Sequence, residues 1–91
     1  MQTIIKCGSK AVAASSNSVT ITFANDAENE TSPAAFPAGY TVILPTPCPD
    51  WATSVRSATP PTTSVALFTF GTATGTGGGI IEWIAIGFKL T

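Results

Sequence analysis

Three observations predict an all-β fold for this chain, a small antiparallel β-sandwich of about six strands. Residues 80–88 alternate sides yet stay apolar on both, with Ile80, Ile84, Ile86 and Phe88 on one side and Ile81, Trp83 and Ala85 on the other, and a gap at Gly87. Val19-Thr20-Ile21-Thr22-Phe23 alternates cleanly between apolar and threonine. No segment sustains a helical apolar period, and Gly, Pro, Ser and Asn clusters punctuate the chain at strand-length intervals, the pattern of an antiparallel sandwich. A half-exposed antiparallel strand reads apolar on one face only. The terminal strand therefore asks for a second partner, either a packed sheet or another copy of the chain.

Taken in order, residues 2–6 read as a short extended arm ending at Cys7-Gly8-Ser9, and residues 10–14 either continue it or begin a strand. A turn cluster, Ser15-Ser16-Asn17-Ser18, precedes the strand at 19–23, whose Val19, Ile21 and Phe23 point inward and whose threonines face water. Residues 24–37 hold most of the acids and read as a long surface loop. Residues 40–44 form a compact strand stopped by Pro45, Pro47 and Pro49, after which the chain runs extended and unpaired. Residues 52–58 are a weak strand ended by Pro60-Pro61. Residues 64–70 carry Val65 and Leu67 on one side and Ala66, Phe68 and Phe70 on the other, which places this strand centrally. The glycine-rich stretch 71–79 links it to the terminal strand as a hairpin loop. No linker divides the chain, so residues 1–91 are read as one sandwich domain with a short N-terminal arm at 1–9.

Composition narrows the function. Charged residues are 10% of the chain, against about 25% in typical soluble domains, while hydrophobic residues at 44% are ordinary. So few charges suggest that much of the surface is covered. A net charge of -1, with Lys6, Lys10, Arg56 and Lys89 scattered, gives no basic patch for nucleic acid. No apolar run reaches the roughly 20 residues of a membrane span. Ala11-Val12-Ala13 has the small residues of a leader cleavage site, but the apolar stretch before it is too short for a secretory segment, so Met1 is read as the mature start.

The chain has no histidine, which removes the usual triads and most acid–base chemistry near neutral pH; a Ser9–Lys10 pair has nothing to fix its geometry, and no enzyme activity is expected. Cys7 and Cys48, without histidine, cannot make a four-ligand zinc site, and for want of a secretory leader they are expected as buried free thiols, with a disulfide as the alternative. Asp26, Glu28 and Glu30 alternate as calcium ligands do, yet the glycine and terminal glutamate of a calcium loop are missing. The 71–79 glycines lack the Lys-Ser/Thr and following helix of a phosphate loop. No cofactor or metal is expected. The sequon Asn29-Glu30-Thr31 means little without a secretory leader.

Three stretches carry a family resemblance: Asn17-Ser18-Val19-Thr20-Ile21-Thr22-Phe23, then Phe36-Pro37-Ala38-Gly39-Tyr40-Thr41-Val42-Ile43-Leu44-Pro45, and the closing Ile81-Glu82-Trp83-Ile84-Ala85-Ile86-Gly87. Their order resembles the H-type-lectin-like domain at the ends of phage tail fibres and related virion appendages. The resemblance implies a six-stranded sandwich that associates as a trimer. It further implies a virion surface protein made in the host cytoplasm: a capsid decoration or cement protein, or a tail or fibre-associated module, with the major capsid protein or tail proteins as partners. On this reading Phe23, Tyr40, Phe68, Phe70, Trp83, Ile84, Ile86 and Phe88 supply core and inter-subunit packing, and Gln2, Thr3, Ile4, Ile5, Lys6 and Cys7 supply a docking arm. The alternative is a soluble carbohydrate-binding lectin or host-receptor adhesin, with Trp51 as an exposed platform beside Asp26 and Glu28. The family's sugar sites often use a histidine, which this chain lacks.

Overall fold

A computed structural model describes residues 1–47, 49, 51–52, 54–57 and 60–90. It holds six strands, β1 (Gln2–Val12), β2 (Ser18–Thr22), β3 (Thr41–Ile43), β4 (Val55–Ser57), β5 (Val65–Phe70) and β6 (Gly79–Lys89), and one helical turn, α1 (Phe23–Asp26). The strands form two three-stranded antiparallel sheets, ordered β1-β6-β3 and β2-β5-β4. Both contribute to one core, in which Val12, Val42, Ile81, Trp83 and Ala85 of the first sheet meet Ile21, Ala66, Phe68 and Phe70 of the second. Phe23 and Phe36 fill it from the connecting segments, edge-on to each other with ring centroids 5.0 Å apart.

The predicted central position of residues 64–70 holds, since β5 lies between β2 and β4. The strand at 19–23 is present as β2, with Ile21 fully buried and Val19 packed against the core, but Phe23 has already passed into α1. Asp26 bends the chain there: one carboxylate oxygen accepts the N–H of Thr22 at 2.8 Å and the other takes the Lys10 ammonium at 2.9 Å.

The N-terminal segment requires a correction. Residues 2–9 are no free arm, because Gln2–Val12 pairs with β6 along its whole length, from Gln2 opposite Lys89 to Val12 opposite Gly79. Its alternation runs opposite to the usual one. The inward positions are Ile4, Lys6, Gly8, Lys10 and Val12, while Ile5, Cys7 and Ala11 point outward with Thr3 and Ser9. Two lysines are tolerated inside because each has a carboxylate. Lys6, 3% exposed, contacts Glu30 at 2.9 Å and lies over the Phe36 ring at 5.1 Å, and Lys10 meets Asp26.

Cys7 is a free thiol, as expected, but half-buried rather than buried; Cys48 lies outside the described residues, as do Thr53 and Ala58 of the weak-strand expectation. Among the described residues no helix is long and apolar enough to cross a membrane.

Candidate interaction surface

The pleat sorts each sheet into an inner and an outer face, and the two outer faces differ. On the second sheet the outer positions are Ser18, Thr20, Thr22, Val65, Leu67, Thr69 and Arg56, a threonine-rich surface of the kind that faces water. The first sheet has the reverse character. Its register puts Ile43, Ile86 and Ile5 in one row across three strands, with Cys7 opposite Ile84, Ala11 opposite Ile80, and Phe88 between Thr3 and Thr41. Ile5 is 50% exposed, Ile43 49%, Ile80 62% and Ile84 39%; Ile86 and Phe88 are half-buried. The opposite row, Ile81, Trp83, Ala85 and Gly87, is buried. Among the described residues nothing covers the outer row.

The residues expected in core or oligomer packing therefore divide. Phe23, Phe68, Phe70 and Trp83 are core, and Tyr40 packs on its margin, its hydroxyl 3.1 Å from Gln2 Oε1. Ile84, Ile86 and Phe88 stand on the outer face. Of the supposed arm, Ile5 and Cys7 join that same outer face, Thr3 flanks it, Ile4 packs against the core and Lys6 is buried. The expectation missed Ile43 as the third member of the isoleucine row, which only the strand register reveals.

The acidic loop closes the outer edge of β1. Glu28 donates its N–H to the Cys7 carbonyl (2.7 Å), and its carboxylate accepts the N–H of Ser9 (3.0 Å). The Asn29 side chain accepts from Cys7 N–H and donates to the Ile5 carbonyl, both at 2.9 Å. The loop thus stands in for a neighbouring strand, through one backbone amide and two side chains, and satisfies an edge that would otherwise template pairing. Asp26, Glu28 and Glu30 each hold a separate structural partner, and no group of three or more acid, Cys or His side chains among the described residues is placed to hold a metal ion. A shallow cleft of about 430 Å³ lies beside the loop, lined by Cys7, Gly8, Ser9, Glu28, Asn29, Glu82 and Trp83.

Trp51, expected as an exposed platform, is half-buried instead. Its ring meets Phe70 edge-on at 4.8 Å, fills the space where a Gly79 side chain would stand, and donates its indole N–H to the Ile80 carbonyl at 3.1 Å. Trp51 meets Phe70 and the β6 backbone, whereas Asp26 and Glu28 bind Lys10 and Ser9 of β1. The buried Trp83 indole N–H finds no acceptor among the described residues; it sits under Gly8, where any Cβ would crowd it.

No protein-family model, curated protein or solved structure matches the chain.

Proposed function

We propose that the protein is a non-enzymatic structural module of a virion surface, a capsid decoration protein or a tail- or fibre-associated one, which assembles with copies of itself and docks on other virion proteins. The observation that carries the reading is the uncovered outer face of the β1-β6-β3 sheet, an isoleucine row across all three strands. Most of the acidic loop's charge serves the fold: Lys6–Glu30 and Lys10–Asp26 are internal pairs, and Glu28 caps an edge. The virion setting and a count of three copies come from the motif resemblance, whose stretches include β2, β3 and most of β6.

Size sets the strength of the contact. Strands of 11, 11 and 3 residues, at about 3.3 Å rise and 4.8 Å spacing, make a flat footprint of about 400 Å². Stable interfaces bury about 800 Å² of accessible surface per partner, so one such face gives a modest contact. Repetition on a lattice converts modest contacts into firm attachment.

Sedimentation equilibrium across the micromolar range is the first test, with association above the 9.3 kDa chain mass expected. Ile5→Lys and Ile43→Lys, both at exposed positions, reduce association while leaving the melting temperature nearly unchanged. The second test is co-sedimentation with isolated capsids or tail structures, where binding is expected and simple glycans at millimolar concentration are ignored. Saturable glycan binding with no affinity for particles overturns the assignment in favour of a lectin.

A further inference from the structure

Strand β6 is paired along its whole length on one side, but on the other β3 meets only Ile86, Gly87 and Phe88. Ladder alternation identifies what this leaves open. On β1 the odd-numbered residues turn their backbone groups to the outer edge, where Ile5, Cys7 and Ser9 meet the acidic loop. Even-numbered residues of β1 therefore bond to β6, and their opposite numbers there, such as Trp83 facing Gly8, are odd. The even-numbered residues of β6 direct N–H and C=O toward β3. Phe88 and Ile86 find Thr41 and Ile43, and the Ile80 carbonyl takes the Trp51 indole. Glu82 and Ile84, between them, have no strand opposite on that side among the described residues.

Proline explains the gap. Continuing the register of Thr41 opposite Phe88 and Ile43 opposite Ile86 would set Pro45 opposite Ile84 and Pro47 opposite Glu82. Neither proline has an N–H, so both positions where the ladder must donate to β6 are void, and β3 ends. A cleft of about 290 Å³ remains, lined by Pro45, Thr46 and Pro47 on one wall and Glu82, Trp83 and Ile84 on the other. At about 3.3 Å rise, 4.8 Å strand spacing and 10 Å thickness, a strand residue fills about 160 Å³. The cleft takes about two such residues.

We propose that this edge is a strand-addition site, at which an extended segment of a partner protein, with an apolar and a basic side chain two positions apart, pairs with Glu82 and Ile84 of β6. The inference rests on the reading of the protein as a docking module and names the surface its partner uses. Unpaired N–H and C=O groups select an extended backbone, and neighbouring side chains select the sequence. Cross-strand pairing puts an apolar residue beside Ile84 and a cation beside Glu82. The Glu82 carboxylate is exposed and takes no part in the salt bridges of the described residues, which use Asp26 and Glu30.

Amide hydrogen exchange on the whole chain tests this. In the free protein the N–H groups of Glu82 and Ile84 should exchange about 100-fold faster than those of Trp83 and Ala85, which bond to β1. The probe is acetyl-Thr-Val-Thr-Lys-Thr-amide at millimolar concentration, whose valine and lysine fall opposite Ile84 and Glu82 in an antiparallel pairing; it should slow both amides about tenfold, while the same peptide N-methylated at its valine and lysine should not. Glu82→Lys should weaken binding of the probe about fivefold and favour the peptide with glutamate in place of lysine. Equal protection of residues 82 to 85 in the free protein, or no slowing by the peptide, overturns the proposal. Loss of particle binding with the peptide effect intact refutes the functional reading instead, and particle binding with no peptide effect refutes this edge alone.

Discussion

Gly87→Ala puts the packing of the first sheet to its most direct test. A Cβ at Gly87 would overlap Cδ1 and Cε1 of Phe36, so the ring would have to move. Phe36 is held on several sides: it is edge-on to Phe23, the Lys6 ammonium lies over its face at 5.1 Å, and its own N–H donates to the Thr63 carbonyl at 2.8 Å. Overpacking a filled core costs about 1 to 3 kcal/mol. With each kcal/mol worth about 4 to 8 °C in a domain of this size, a cost of about 2 kcal/mol lowers the melting temperature by about 8 to 16 °C. Gly75→Ala and Gly77→Ala are the controls, since a Cβ at either meets nothing within 4 Å, and both should stay within about 0.5 kcal/mol of the parent. Thermal and urea melts followed by circular dichroism measure all three. A Gly87→Ala protein melting with the parent, or as high as the two controls, would show that Phe36 does not occupy the slot the glycine leaves.

Trp83→Ala, at a buried ring packed 5.7 Å from Phe23, should cost about 3 to 5 kcal/mol in the same melts, and Trp51→Ala clearly less because that ring is half-exposed. Lys6→Ala leaves Glu30 without its cation and should destabilise by about 3 kcal/mol, whereas Lys6→Met combined with Glu30→Gln should match or exceed the parent; equal losses in the two would mean that the ion pair itself is strongly stabilising. Asn29→Ala removes both bonds to the β1 edge and should cost about 1 to 2 kcal/mol, with faster exchange of the Cys7 N–H as its local signature.

The strands with conventional alternation were legible in the sequence. Val19, Ile21, Ala66, Phe68 and Phe70 turn inward because apolar side chains leave water, and their spacing states that plainly. β1 was not legible, and the reason is chemical. Its inner face carries Lys6, Gly8 and Lys10, residues that read as solvent-facing until Glu30 and Asp26 arrive from a loop 16 to 24 positions away. The outer face was half legible: Ile80, Ile84, Ile86 and Phe88 were seen as one side of a strand, but which side faced the core depended on the second sheet. Ile5 and Ile43 joined them through register, which a single sequence does not encode. Trp51 was misjudged because its polar neighbours hid the contacts with Phe70 and Gly79, both distant in the chain.

The treatment of edges and faces bears on how such a chain associates. A small all-β protein with few charges invites uncontrolled edge-to-edge pairing, and β1 would present the longest edge of its sheet. That edge is closed by four bonds from Glu28 and Asn29. On the far side Pro45 and Pro47 end β3 and confine the open part of β6 to two residue positions, too short for a propagating ladder. The outer face, by contrast, carries an uninterrupted isoleucine row, and its only charged side chain is Glu82. Edges resisting growth while a face stays apolar favour face-to-face packing, which saturates once the face is covered. Association through this surface is therefore expected to stop at a defined oligomer, with fibres appearing only if Glu28 and Asn29 no longer hold the β1 edge.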